Sequence, residues 1–166
     1  PPPGTALRQF VMGLAPDWDR SPTILLGTRQ GSIYRSDEAG VEGSWELLAE
    51  LGSRTRNLAV APATEDGRVV YASTVDGLRR SDDGGSTWRP TGPDSVALLA
   101  MSPAFTADGT LFAGTESGLF ATRDDGRTWT ELDAGVGPGA SIEAVAVSPS
   151  YVTDGTVLVS ITGTGL

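Results

Sequence analysis

The sequence contains no cysteine, no histidine and no lysine. Without cysteine there is no disulfide framework, no thiol nucleophile and no thiolate metal site. Without histidine a Ser-His-Asp triad and the usual imidazole ligands of zinc are excluded. All 12 cationic side chains are arginine, which removes Schiff-base and P-loop lysine chemistry. No window approaches the roughly 20 uninterrupted apolar residues of a membrane helix, so no direct membrane insertion is expected. Positive charge is scarce too. The formal net charge is −9, so the chain lacks the basic footprint that holds nucleic acid, and its surface is expected to repel anionic partners.

What is present in quantity is glycine (22) and proline (11), about a fifth of the 166 residues, beside an apolar fraction of 39%. That mixture favours many short strands joined by turns over long helices. The length suits one domain with a sizeable core. The chain opens Pro1-Pro2-Pro3-Gly4 and not with Met, which reads as processing or excision from something longer. Residues 1–9 read as a linker or tail.

Internal repetition organises the rest. Trp45, Trp88 and Trp129 stand 43 and 41 residues apart, and a similar series precedes each. An apolar run ends in proline at Pro16, Pro62, Pro103 and Pro149. A polar loop follows, usually with Asp-Gly (Asp66-Gly67, Asp108-Gly109, Asp154-Gly155). A second apolar run comes next: TILLGT, RVVYAST, TLFAGT and TVLVSIT. A glycine then turns the chain at Gly31, Gly77, Gly118 and Gly165. A third short run leads into an acidic turn, and a fourth begins at the tryptophan.

Each unit of about 42 residues therefore holds four strand-length segments too short to be helices. Proline after the first run fits a strand end, since it donates no ladder hydrogen bond. Four strands in about 40–45 residues is the arithmetic of a β-propeller blade. The expected fold is all-β: up-and-down antiparallel blades with the first strand of each nearest the axis. The repeats fall at about 10–52, 57–92, 97–136 and 142–166. The last is incomplete, giving three full blades and a half blade.

The acidic turn itself is the most patterned segment. SDDGGSTW (Ser81 to Trp88) and TRDDGRTW (Thr122 to Trp129) share Ser/Thr, any, Asp, any, Gly, any, Thr, Trp. Asp83 and Asp124 sit where a short side chain can bond nearby backbone N–H groups. Gly85 and Gly126 supply a positive φ. Thr87 and Thr128 restart the strand, and Trp88 and Trp129 bring apolar surface to sheet packing. Every position has a folding job. A third copy, Ser36 to Trp45, carries Glu38 in place of Asp and two extra residues before its Ser-Trp pair, so its turn is expected to be looser.

This pattern resembles the Asp-box, or bacterial neuraminidase repeat, matching twice in full. The phrases SPAFTADGTLFAGTESGLF and DDGRTW resemble bacterial Asp-box propellers, a group that includes sialidases, xyloglucan-degrading glycosidases, sortilin-type receptors and a photosystem II assembly factor. The resemblance implies the fold, an extracytoplasmic location and a box remote from any active site. It implies little about activity.

Calcium binding by the acidic turns lacks a terminal bidentate Glu, and the turn is only a few residues long; no metal and no cofactor is expected. A sialidase, as the resemblance implies it, needs three arginines on a carboxylate and a Tyr–Glu nucleophile. Tyr34, Tyr71 and Tyr151 show no obvious Glu partner. General glycoside hydrolysis needs two carboxylates about 5–10 Å apart, and Asp17, Asp19, Glu65 and Asp66 fall in loops after first strands without anything to select among them. Trp18, in the loop PDWDRSP, lies outside the periodic position and is a candidate surface contact or sugar platform. Arg29, Arg54 and Arg56 read as turn residues able to meet a partner's acids.

A half blade leaves an unpaired strand edge, a known association hazard, and propellers close with typically 4–8 blades. Further repeats of a longer chain, or a partner chain, are expected to complete the ring. The expected function is a non-catalytic module for protein binding or scaffolding, with glycan as a second ligand class. The alternative is a fragment of an extracellular glycoside hydrolase.

Overall fold

The computed structural model describes residues 10–133 and 141–162. The expected tail 1–9, the end of the third repeat beyond residue 133 and the turn at Gly165 lie outside the described residues.

Each repeat forms one antiparallel sheet whose strands pair in chain order. The first holds β1 (Phe10–Leu14), β2 (Ile24–Thr28), β3 (Ser32–Ser36) and β4 (Glu46–Glu50). The second holds β5 (Thr55–Thr64), β6 (Gly67–Thr74), β7 (Gly77–Ser81) and β8 (Arg89–Thr91). The third holds β9 (Leu98–Met101), β10 (Leu111–Gly114), β11 (Leu119–Thr122) and β12 (Thr130–Leu132). The last pairs β13 (Ser141–Val147) with β14 (Val157–Thr162). These are three four-stranded blades and a two-stranded one. β1 lies against β5, β5 against β9 and β9 against β13, which puts the first strand of every blade innermost.

The period-2 alternation of each strand divides its side chains between the two neighbouring blades. Leu25, Ile33, Val70 and Ala72 form a buried layer between the first and second blades. Tyr71, Leu78, Phe105 and Leu111 do the same between the second and third. Phe112, Leu119 and Ile142 begin the layer against the last sheet. Close approach at these layers is why small residues interrupt the apolar runs. A Cβ at Gly27 would stand 2.6 Å from Thr55 Cγ2, and one at Gly114 would stand 2.9 Å from Ile142 Cγ2.

The same register exposes both end faces. Leu58 and Val60 lie four and two residues before Pro62, and they pack against Gly13 of the preceding blade. Their counterparts before Pro16 are Met12 and Leu14, which are 53% and 51% exposed. At the other end Leu158 aligns with Leu25, Tyr71 and Phe112. Those three are buried by a following blade, whereas Leu158 is 69% exposed.

Two details differ from the sequence reading. Pro62 does not end its strand: β5 runs on to Thr64, with an irregularity in pairing between Val60 and Ala63. An extra, unpaired residue at a bulge needs no ladder donor, so proline is accommodated there. The loops after Pro103 and Pro149 are not irregular but contain single helical turns, α1 (Phe105–Asp108) and α2 (Tyr151–Asp154). Each is held by a serine–aspartate pair. Ser102 Oγ donates to Asp108 Oδ2 at 2.7 Å and accepts the Ala104 N–H, while Asp108 Oδ1 accepts the Thr110 N–H at 2.8 Å. Ser148, Asp154 and Thr156 repeat the arrangement, with a Ser148–Asp154 bond of 2.6 Å.

Candidate functional site

Antiparallel strands in chain order sort the connections onto two ends. Turns between first and second strands share one end with the acidic turns between third and fourth. Turns between second and third strands share the opposite end with the links between blades. Each acidic turn is tied by a backbone bond to the first loop of its own blade or to the start of the strand after it: Ala39 N–H to Pro22 O, Gly84 N–H to Arg68 O, and Asp125 N–H to Gly109 O.

In the second blade the Asp83 carboxylate accepts four hydrogen bonds. Oδ1 takes the N–H groups of Ser86 (3.0 Å) and Thr87 (2.8 Å) and the Ser81 hydroxyl (2.8 Å); Oδ2 takes the Thr87 hydroxyl at 2.7 Å. Ser81 Oγ in turn accepts the Gly85 N–H at 2.8 Å. Asp124 repeats all of this with Thr122, Arg127 and Thr128, and Thr122 Oγ1 accepts the Gly126 N–H at 2.8 Å. The indole N–H groups of Trp88 and Trp129 donate back to Gly85 O (2.8 Å) and Gly126 O (3.3 Å). Slight desolvation opposes ionisation of Asp83, but the Thr87, Ser81 and Ser86 donors outweigh it and bring its pKa down to about 2. The Thr128 hydroxyl and N–H, then Thr122, bring Asp124 down to about 2 as well. Both carboxylates are anionic acceptors with their donors already in place.

Two consecutive positive φ angles make the reversal: Gly84 (74°) and Gly85 (106°), and Asp125 (58°) and Gly126 (76°). The sequence pattern treats the first of each pair as a free position, yet it takes the left-handed conformation in every copy. Short polar Asp tolerates that region better than most residues. In the first blade Ala39 (55°) and Gly40 (78°) hold the same places. There Ser36 Oγ still accepts the Gly40 N–H at 3.0 Å, and Ser44 replaces the missing carboxylate by contacting Ser36 Oγ at 2.6 Å. The indole nitrogen of Trp45 is buried without a hydrogen-bond partner, unlike those of Trp88 and Trp129.

Of the acids considered for hydrolysis, Asp17 meets an arginine and not a second carboxylate. Arg68 of the second blade grips it through two bonds of 2.8 and 3.2 Å, and the Ala63 N–H adds a third at 3.1 Å. Partial burial would raise its pKa, but Arg68 and Ala63 hold it below the usual carboxylate range. Asp66 lines, with Arg35, Asp37 and Asp83, an open polar cleft of about 480 Å³ between the first two blades. Both arginines that line it are paired, Arg68 with Asp17 and Arg35 through an Nε that lies 2.9 Å from Asp37. Tyr71 is fully buried, and its hydroxyl accepts Arg80 Nη1 at 2.8 Å. The same guanidinium donates to Asp125 O of the third blade and pairs with Asp82 at 2.6 Å. Burial, partly offset by the Arg80 charge, pushes the Tyr71 hydroxyl up to about 12, so it stays protonated. Tyr151 stacks edge-on against Phe112. Among the described residues no group of three or more acidic side chains converges as metal ligands would.

Trp18 sits in the turn after β1, on the acidic-turn end, and is 40% exposed. The arginines separate. Arg56 is within β5 and half-buried, not in a turn as its setting in GSRTRN implied. Arg29, in the turn after β2, and Arg54, in the link before β5, are brought together on the opposite end. With Phe10, Val11 and Thr55 they line a cleft of about 260 Å³. Sequence reasoning named both arginines but not their meeting, nor Thr55, whose buried hydroxyl has no hydrogen-bond partner.

No family model and no curated protein matches the chain. It is similar to solved β-propeller structures. Against a GH74 enzyme of Niastella koreensis the identity is 17% and the TM-score 0.64, over 83% of this chain and 24% of that one. Against the extracellular domain of a one-component system from B. thetaiotaomicron they are 18% and 0.60, over 91% and 19%. Against YCF48 bound to D1 peptide they are 18% and 0.57, over 84% and 45%. The chain thus spans less than half the length of each. At such identities the likeness establishes the fold alone.

Proposed function

We propose that the chain is a segment of an Asp-box propeller that works as a non-catalytic binding or scaffolding module for another protein, with glycan as the second ligand class. The observation that carries this reading is the state of its acids. Asp17, one of the acids considered for hydrolysis, is held by Arg68, and the box acids Asp83 and Asp124 are occupied by their own turn donors. An acid or nucleophile for glycoside hydrolysis needs a free partner carboxylate at about 5–10 Å. The acidic turns are structural devices in this reading, and the contact surface belongs to the opposite end, where Arg29 and Arg54 meet.

The exposed Met12, Leu14 and Leu158 support further blades on both end faces, since their counterparts in the other blades are buried or partly buried against a neighbour. Those blades come from the same polypeptide or from a partner chain. An extracytoplasmic setting is part of the proposal, and the extracellular domain among the similar structures supports it. No helix among the described residues is long and apolar enough to cross a membrane. YCF48 with its bound peptide supports protein binding as a use of this fold. The GH74 likeness supports the hydrolase alternative to the same degree.

The test is glycan hydrolysis by the parent protein beside capture of protein partners. The module reading expects no turnover. Turnover abolished by Asp19→Asn, a change outside the Arg68 clamp, would defeat it.

A further inference from the structure

The interfaces between neighbouring blades are all built from the same two unequal halves. In the first strand of each repeat, the residues three and one before the proline are small, and those four and two before it are large. Period-2 alternation sends the two sets to opposite faces of the blade. The small set of each blade meets the large set of the next. Ala15 shares a buried cluster with Leu58 and Val60, Ala59 and Ala61 with Leu99 and Met101, and Ala100 with Val145 and Val147. The fit is close: a Cβ at Gly13 would stand 2.7 Å from Val60 Cγ2 and 3.0 Å from Leu58 Cβ.

The two end faces carry one half each. On the first blade the large half is open, with Met12 and Leu14 53% and 51% exposed. On the last sheet the small half is open. There Ala146 is exposed, and its cross-strand partner Leu158 is 69% exposed. Leu158 stands where Leu25 stands in the first blade, and Leu25 is fully buried in the cluster of Leu58 and Val60. Large rows on large rows, or small on small, would pack with voids and lose contact. Neither face suits a copy of itself, and each suits the other.

Resting on the propeller-segment reading above, we propose that a second copy of this chain covers both faces, head to tail. Met12 and Leu14 of one copy lie over Ala146 and Leu158 of the other, as Leu58 and Val60 lie over Gly13 and Leu25. Both missing halves stand on one chain, so a second copy supplies them without further sequence. A contact between unlike faces closes into a ring where its rotation allows. Two copies bring four sheets each, within the 4–8 blades of closed propellers.

The test is the mass of the 166-residue chain in solution, by sedimentation equilibrium over a range of concentrations. Two or more copies of the 17.2 kDa chain are expected. Met12→Arg and Leu158→Asp each leave an unpaired charge at every contact, and each should weaken association about tenfold or more. Both positions are half-exposed or more in the single chain, so circular dichroism should match the parent. Leu14→Arg and Ser160→Asp carry the same test should either variant lose its fold. Mixing the two variants should restore association, because the mixed pair joins one unaltered contact to one between opposite charges. A pair that used one face twice would behave otherwise: one variant would still associate alone, and mixing would add nothing.

A chain that stays at 17.2 kDa up to its solubility limit overturns the second copy as occupant. So does association that survives either substitution, or a mixture of variants that stays monomeric. In each case the segment reading stands, its end faces left to blades of another origin. Glycan turnover by the parent protein would overturn the module reading separately.

Discussion

Replacing Asp83 by alanine removes four hydrogen bonds at once, two of them from backbone N–H groups. Bonds to a charged acceptor are worth up to about 1.5–3 kcal/mol each when buried. Here Ser86 and Thr87 are exposed, so water recovers much of the loss on those donors. The Ser81 hydroxyl also keeps its bond to the Gly85 N–H. Counting about 1 kcal/mol for each backbone bond and discounting for rehydration gives a destabilisation of about 1–2 kcal/mol. Asp83→Asn keeps an oxygen for the two N–H groups but loses the second carboxylate oxygen and the charge, so it should fall between parent and alanine variant. Urea unfolding followed by tryptophan fluorescence measures this, with an unchanged denaturant slope as the sign that only stability moved. Parent-like midpoints for both variants would refute the reasoning. So would a loss above about 4 kcal/mol, which an exposed turn cannot supply.

Other expectations come from the same geometry. Gly114→Ala drives a Cβ to 2.9 Å from Ile142 Cγ2 at the layer between the third and last blades and should cost about 1–3 kcal/mol by overpacking, seen as a lower midpoint in urea. Ala39→Gly relieves a left-handed alanine at φ 55° and should raise stability by about 0.5–1 kcal/mol, once the extra freedom of unfolded glycine is subtracted. Asp83 and Asp124 have folded pKa values near 2, below an ordinary value of 3.8. Their contribution is therefore present above pH 4 and is lost as pH falls from about 4 to 2. Acid unfolding of a double Asp83→Asn, Asp124→Asn variant should show a shallower stability loss across that window than the parent.

Much of the fold was legible because each blade repeats the same solution. Proline, Asp-Gly, glycine and tryptophan recur at a period set by four strands, and each punctuates the chain for a physical reason. What escaped the sequence does not recur. Asp17 and Arg68 lie 51 residues apart in different blades, and no counterpart of the pair marks the other repeats. Arg29 and Arg54 meet because the link into β5 returns beside the turn after β2, a consequence of blade packing and not of spacing. The left-handed residue before each box glycine hid because Ala39, Gly84 and Asp125 share no side-chain chemistry. Pro62 within β5 hid for another reason: a bulge is a feature of pairing, which one strand's sequence does not display.

Calcium offers the sharpest discrimination between a turn and a reactive or ligating centre. Urea midpoints of the parent, Asp83→Ala and Asp124→Ala would be measured with excess chelator and again with millimolar calcium. If the carboxylates serve their own turns, both variants fall below the parent by the same amount in either condition, and the parent's midpoint ignores the ion. A parent stabilised by calcium, with that gain erased in either variant, would contradict the account.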